Sequence, residues 1–231
     1  MTDPSELQSR VQAPHLEAAR IECYRREAQQ DPAGLMVLDD FLQRPVIDKV
    51  HRWLVDEARF DRRYGLYSTM VAQRADLLQA SEEDRFYTYD VTIDVRPEHA
   101  MSPNWLTHLT LEHALGQQPS LEFFGAIAGV PLTRTEPIHV HAHAADDYLK
   151  IHSDRVRDRR LCATLFLSPD WQPGYGGELC VVDGAQEEGR FAPRYNRLIL
   201  FDPEKKPLHR VAGHTPKATE WKRFSLVLWF V

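Results

Sequence analysis

The sequence predicts an α+β fold: helices first, then an antiparallel sandwich or barrel of short strands. Three observations predict it. Apolar residues recur at helical spacing in several stretches before residue 137. From Pro137 onward, short β-branched and aromatic runs alternate with turns. The last run, Arg223–Val231, alternates between a wholly apolar face (Phe224, Leu226, Leu228, Phe230) and a mixed one (Arg223, Ser225, Val227, Trp229). At 231 residues, with no repeat or clear linker, one domain over 1–231 is expected, 1–136 supporting a core at 137–231.

Composition narrows the class. The chain is 43% hydrophobic and 27% charged, with net charge -6. That acidic balance argues against a molecule-wide nucleic-acid surface, so no nucleic-acid partner is expected. No apolar run approaches the roughly 18 residues of a membrane span, and the first ten residues lack the pattern of a secretory signal. Three cysteines are an odd number, widely spaced; Cys162 and Cys180 sit in apolar runs as small core residues. A reducing, cytoplasmic setting is expected.

In order, residues 5 to about 30 read as a helix with Val11, Leu16, Ile21 and Tyr24 as its apolar positions, ended by Pro32 to Gly34. Leu35–Asp39 is a short strand. Pro45 opens a helix burying Val46, Val50, Trp53 and Leu54. Phe60–Met70 reads as irregular and Arg85–Asp94 as a strand. Residues 103–129 form two helices broken near Gly116–Pro119. Strands follow at Ile138–Ala144, Tyr148–Asp154, Leu161–Ser168 and Glu178–Asp183, with a hairpin around Gly184–Gly189, and finally at Asn196–Phe201 and Arg223–Val231. Gly174, Gly176 and Gly177 lack the lysine and helix of a phosphate loop, and form a turn.

The chemistry centres on Tyr148-Leu-Lys-Ile-His152-Ser-Asp154. Side chains two apart on a strand share a face, so His152 and Asp154 project together. One imidazole and one carboxylate suit Fe(II), and a distant histidine, His209, is the candidate to complete a two-histidine, one-carboxylate triad. Arg223, at the inward end of the last strand, needs a carboxylate or phosphate if buried. The 14 residues from His209 to Arg223 let two flanking strands return side by side, bringing both into one pocket. The bland reading of Arg223 is a structural ion pair. His139, His141 and His143 lie along one strand, too far apart to chelate one ion, and form a polar face with His143 toward substrate. The run containing Arg155, Arg157, Arg159 and Arg160 is either a solvated loop or an electropositive rim that attracts an anionic substrate or an acidic carrier-protein partner.

Taken together, His152-x-Asp154, the strand ending Ser-Pro-Asp-Trp171, Gly-Gly-Glu-Leu179, Asn196-Arg-Leu-Ile-Leu-Phe-Asp202, His209-Arg-Val and Arg223-Phe-Ser-Leu-Val-Leu-Trp-Phe resemble the iron(II)/2-oxoglutarate-dependent dioxygenases, in their prolyl-hydroxylase-like branch. The similarity covers about residues 137–231. It implies a double-stranded β-helix (jelly-roll) core buttressed by N-terminal helices. It implies Fe(II) on His152, Asp154 and His209, with 2-oxoglutarate and O2 as co-substrates and ascorbate as an accessory reductant. Arg223 would grip the distal carboxylate, Tyr148 would lie near the co-substrate, and Thr164, Phe166 and Ser225 would line its pocket. Phe166 stands where the oxygen-sensing animal members carry a tyrosine that helps bind that carboxylate, so Arg223 needs another helper. The presence of Asp154 implies hydroxylation rather than halogenation. The expected substrate is an amino-acid-like small molecule, a carrier-tethered one, or a peptidyl residue, with His143, Arg155 and Arg157 on its side. A non-oxygenase cupin-like metal protein is the competing reading, and Arg223 separates the two.

Overall fold

The computed structural model describes residues 5–93, 102–156, 158–183, 186–205, 208–218 and 220–231. Six α-helices occur among them: α1 (Ser5–Gln8), α2 (Ala18–Gln30), α3 (Arg44–Asp56), α4 (Arg74–Gln79), α5 (Pro103–Leu115) and α6 (Gln118–Ala128). The expected N-terminal helix is therefore interrupted. Pro14 lacks a backbone N–H and disfavours helix in the residue before it. A 3-10 turn at Ala13–Leu16 replaces the helix there, turning His15 inward to bond Tyr24 Oη at 2.7 Å. Pro45 opens α3 as its composition demands, and Ile47, Val50, Trp53 and Leu54 are its buried face. The two helices expected over 103–129 form, the first capped by Ser102 accepting from the Trp105 N–H.

Among the described residues eleven strands follow one another as β1 (Met36–Leu38), β2 (Phe60–Leu66), β3 (Arg85–Thr92), β4 (His139–His143), β5 (Tyr148–His152), β6 (Leu161–Phe166), β7 (Leu179–Asp183), β8 (Gln186–Phe191), β9 (Leu198–Phe201), β10 (Leu208–Val211) and β11 (Arg223–Phe230). Their pairing is antiparallel throughout, in the order β1-β9-β6-β11-β4-β3-β5-β10-β7-β8, with β2 added beside β3. β3 pairs with both β4 and β5, so the sheet curls upon itself and its two halves face each other. This is the jelly-roll expected, with helices buttressing one outer face.

Two expectations need correction. Phe60–Leu66 is a strand, not irregular chain: its exposed residues run consecutively and do not alternate with buried ones, so no period-two pattern marks it, and its ladder to β3 supplies the order. The strands carrying His209 and Arg223 are not neighbours: β10 lies between β5 and β7, and β11 between β4 and β6. The two residues face one another across the curl instead. The strand expected at 85–94 ends at Thr92, and Asp94 lies outside the described residues.

β11 shows how sequence places the site. Phe224, Leu226, Leu228 and Phe230 join one apolar cluster with Ile47, Val50 and Leu54 of α3 and Phe124 and Ile127 of α6. Burying such side chains stabilises by about 2 kcal/mol each. Because alternation is strict, anchoring that face against the helices turns Arg223, Ser225, Val227 and Trp229 into the space between the sheet halves.

Candidate active site

That space is a cavity of about 380 Å³, lined among others by His152, Asp154 and His209 on one side and by Arg223, Ser225, Thr164 and His143 on the other. His152 and His209 are cross-strand partners, with ring centroids 4.2 Å apart. Asp154 Oδ1 lies 3.7 Å from His152 Nε2 and its Oδ2 3.7 Å from His209 Nε2, and one ligand atom from each of the three residues lies within 4.8 Å of the others. His152 Nδ1 is bonded to the Lys150 carbonyl at 2.9 Å, which directs Nε2 inward. Burial, then the neighbouring His209, lowers the pKa of His152 to about 4, so the ring is a neutral donor. Burial opposes charge on Asp154, but His209, His152 and the Trp229 indole hold its pKa below the ordinary carboxylate value. Two imidazoles and one carboxylate on one side of an open cavity are a donor set that fits Fe(II).

Arg223 is 3% exposed. Its Nη1 donates to Ser225 Oγ at 2.9 Å, its Nε has no partner, and its Cζ lies 4.9 Å from the centre of the Phe166 ring. Among the described residues no carboxylate lies within ion-pair reach, so the structural ion pair is not what holds it. Burial without a counter-ion draws its pKa down to about 9. A cation held this way gains from any carboxylate that enters.

The other expected residues divide. Thr164, Ser225 and His143 reach the cavity, and Phe166 walls the guanidinium. Tyr148 does not reach it. β5 carries one extra residue against β10: His152 pairs with His209, but Leu149, not Lys150, pairs with Val211. The bulge puts Leu149 on the cavity face and leaves Tyr148 in a separate depression with Tyr67 and Arg210. Arg155 is exposed outside the cavity, and Arg157 lies outside the described residues. From that basic run it is Arg159 that lines the cavity, clamped by Glu136 at 2.7 and 2.9 Å.

Residues not singled out as site residues complete the wall. Trp229 donates its indole N–H to Asp154 Oδ2 at 3.1 Å, and the Arg159 guanidinium lies 4.3 Å over its ring. The alternation of β11 already put Trp229 on Arg223's face, so its signal was present. Tyr89 stacks on His141 at 4.6 Å, and Tyr87 on Tyr89 at 4.6 Å. Nothing local marks these tyrosines; the pairing of β3 with β4 brings them in.

A metal triad sharing one cavity with an unpaired guanidinium defines a class of protein, the non-haem iron oxygenases that bind a dicarboxylic keto acid. Comparison with known proteins agrees. Residues 138–231 match the family described as 2OG-Fe(II) oxygenase superfamily. Prolyl 3-hydroxylase OGFOD1 of Mus musculus is 26% identical over 110 residues, covering 45% of this chain and 20% of that protein. The chain thus spans only a small part of this curated relative. A Pseudomonas putida prolyl-4-hydroxylase superposes with TM-score 0.57 at 19% identity, covering 91% of this chain and 97% of that one. A Trichoplax adhaerens prolyl hydroxylase, solved with a hypoxia inducible factor peptide fragment, gives TM-score 0.63 at 15% identity, with 93% of each chain covered.

Residues 138–231 thus match the 2OG-Fe(II) oxygenase superfamily, and the fold is similar to that of the prolyl hydroxylases. That family implies Fe(II), 2-oxoglutarate and O2, and the donor set and the unpaired Arg223 fit them. The same unpaired Arg223 disfavours the cupin-like alternative. No helix among the described residues is long and apolar enough to cross a membrane.

Proposed function

We propose that this protein is an Fe(II)- and 2-oxoglutarate-dependent dioxygenase that hydroxylates an apolar, prolyl-like residue within a peptide. The observation that carries the oxygenase reading is the pairing of the His152, Asp154 and His209 donors with a buried guanidinium that lacks a carboxylate. Iron(II), when bound, supplies the chemistry that couples decarboxylation of 2-oxoglutarate to hydroxylation: one atom of O2 enters the substrate, the other enters succinate, and CO2 leaves.

The chain's own residues set this up. His152 Nε2, His209 and Asp154 hold the ion. Trp229 orients Asp154 through its N–H, and Arg159 keeps Trp229 in place. Arg223 grips the distal carboxylate with its fork, directed by Ser225. Leu149, Leu179, Val211 and Val227 supply apolar cavity wall that excludes water around the reacting atoms.

The substrate class rests on the rest of that wall. Met70 (55% exposed), Val71 (69%) and Val156 (48%) line the cavity while remaining open to solvent, and Phe86, Tyr87 and Tyr89 continue it inward. An apolar surface reaching from solvent to a metal site suits an apolar ring carried on a chain better than a free zwitterion. The prolyl 3-hydroxylase relative and the peptide-bound neighbour support the same reading. Arg155 and Arg160 are exposed, whereas Arg159 is held by Glu136, so only part of the basic run is free to meet an acidic carrier.

Two measurements test this. Anaerobic addition of Fe(II) and 2-oxoglutarate should give the weak visible absorption of the chelate. Succinate release in air should then rise with proline-containing peptides and not with free amino acids. No absorption and no succinate would reject the enzyme; stimulation by free amino acids alone would reject the peptidyl substrate.

A further inference from the structure

Buried side-chain nitrogens and oxygens without partners are rare in folded proteins, because each loses its hydration for nothing. Here five of them belong to three residues gathered at the start of β11: both ring nitrogens of His143, both of His214, and Nε of Arg223. His143 is the cross-strand partner of Arg223. His214 approaches from the segment after β10. A Cβ added to Gly177 would lie 3.3 Å from both Arg223 Cδ and His214 Nε2, so the two side chains pack closely against the same glycine. Gly177 has φ +78°, a conformation that favours glycine. Among the described residues, no carboxylate lies within ion-pair distance of any of the three.

Arg223 alone cannot satisfy a carboxylate. Its Nη1 is partly engaged by Ser225, and the wall opposite is Phe166, which has no polar atom to offer. A carboxylate has about four acceptor positions, and a single fork fills two of them. Two imidazoles with no other partner can each donate one N–H to the remainder.

We propose that His143 and His214 complete, with Arg223, a three-sided seat for the distal carboxylate of 2-oxoglutarate. This rests on the oxygenase reading and deepens it. It moves His143 from the substrate side to the co-substrate side, and it gives His214 a role. The two rings select a dicarboxylic keto acid over a monocarboxylic one.

The test compares 2-oxoglutarate with 2-oxopentanoate, which has the same keto-acid head and carbon chain but no distal carboxylate. Both are titrated anaerobically into the Fe(II) protein, following the visible absorption of the chelate. His143→Phe and His214→Phe should each weaken 2-oxoglutarate about tenfold, the scale of one charge-assisted hydrogen bond, and leave 2-oxopentanoate within about twofold. His143→Asn and His214→Asn, which keep a donor, should recover part of the loss. Unchanged 2-oxoglutarate affinity would mean that the rings hold only water, and overturns the proposal. Equal losses for both acids would make the rings packing elements, and overturns it too. Wild-type protein that binds neither acid would instead reject the oxygenase reading itself, a separate outcome.

Discussion

Arg223 illustrates how one side chain carries information that its neighbours cannot. It is buried, cationic and without a counter-ion, so the fold holds it at a cost that only a ligand removes. Arg223→Ala should raise the dissociation constant for 2-oxoglutarate by an amount equivalent to about 2–4 kcal/mol. The protein itself should become no less stable, because no native ion pair is lost. A parallel fall in melting temperature would show that Arg223 serves the fold instead. Asp154→Ala should abolish succinate release, since the triad loses its only anion; near-normal turnover would place the metal elsewhere. Trp229→Phe keeps the ring under Arg159 but removes the N–H that aims Asp154. Metal affinity, read by titration, should fall by about tenfold.

At the scale of elements, the site depends on joints between strands that are remote in sequence. Asn196, at φ +65°, sits before β9 and bonds both the N–H and the C=O of Leu42, at 2.8 and 2.7 Å, just ahead of α3. Both bonds are buried. Asn196→Ala should cost about 2–4 kcal/mol by leaving two backbone groups unpaired. Chemical denaturation would measure it, and a cost under about 1 kcal/mol would mean that water replaces the amide. Gly65 of β2 leaves room for the Tyr87 ring, which would lie 2.1 Å from an added Cβ. The bulge in β5 is a second such joint: one extra residue brings Leu149 into the cavity and turns Tyr148 out of it. Strict alternation from His152 would have placed Tyr148 inside, where the family resemblance puts it.

For the whole molecule, a cavity lined by neutral histidines ties stability to pH and to metal. Burial, then the Arg223 charge, lowers His141 to about 3 and holds His143 well below its ordinary value. In the unfolded chain both titrate near 6.5. Below that pH the unfolded chain takes up protons that the folded one refuses, so these residues withdraw stability as pH falls from about 6.5 toward 4. Above 6.5 they contribute no slope. A melting temperature that stays flat between about pH 7 and 5 would contradict it. Fe(II), or Zn2+ as an inert substitute, should raise the melting temperature by binding only the folded triad. At 100 times the dissociation constant the gain is about 2.7 kcal/mol. His209→Ala should remove most of that shift.

The composition of local stretches was enough to settle several things. Alternation in Arg223–Val231 identified which side chains face the core and which face the cavity, because a strand has only two faces. The spacing of His152 and Asp154 put them on one side for the same reason, and Pro45 announced the start of α3. Only tertiary structure decided the rest. Whether His209 faces Arg223 across the curl or lies beside it depends on strand order, which no local pattern encodes. The strand at Phe60–Leu66 exists through pairing with β3 rather than through burial of its own side chains. Tyr89 and Arg159 reach the cavity through contacts between segments far apart in sequence, and Tyr148 leaves it through one inserted residue in a ladder. Patterns within a strand are read from neighbours along the chain; the partners across a sheet are chosen by burial and hydrogen bonding summed over the whole fold.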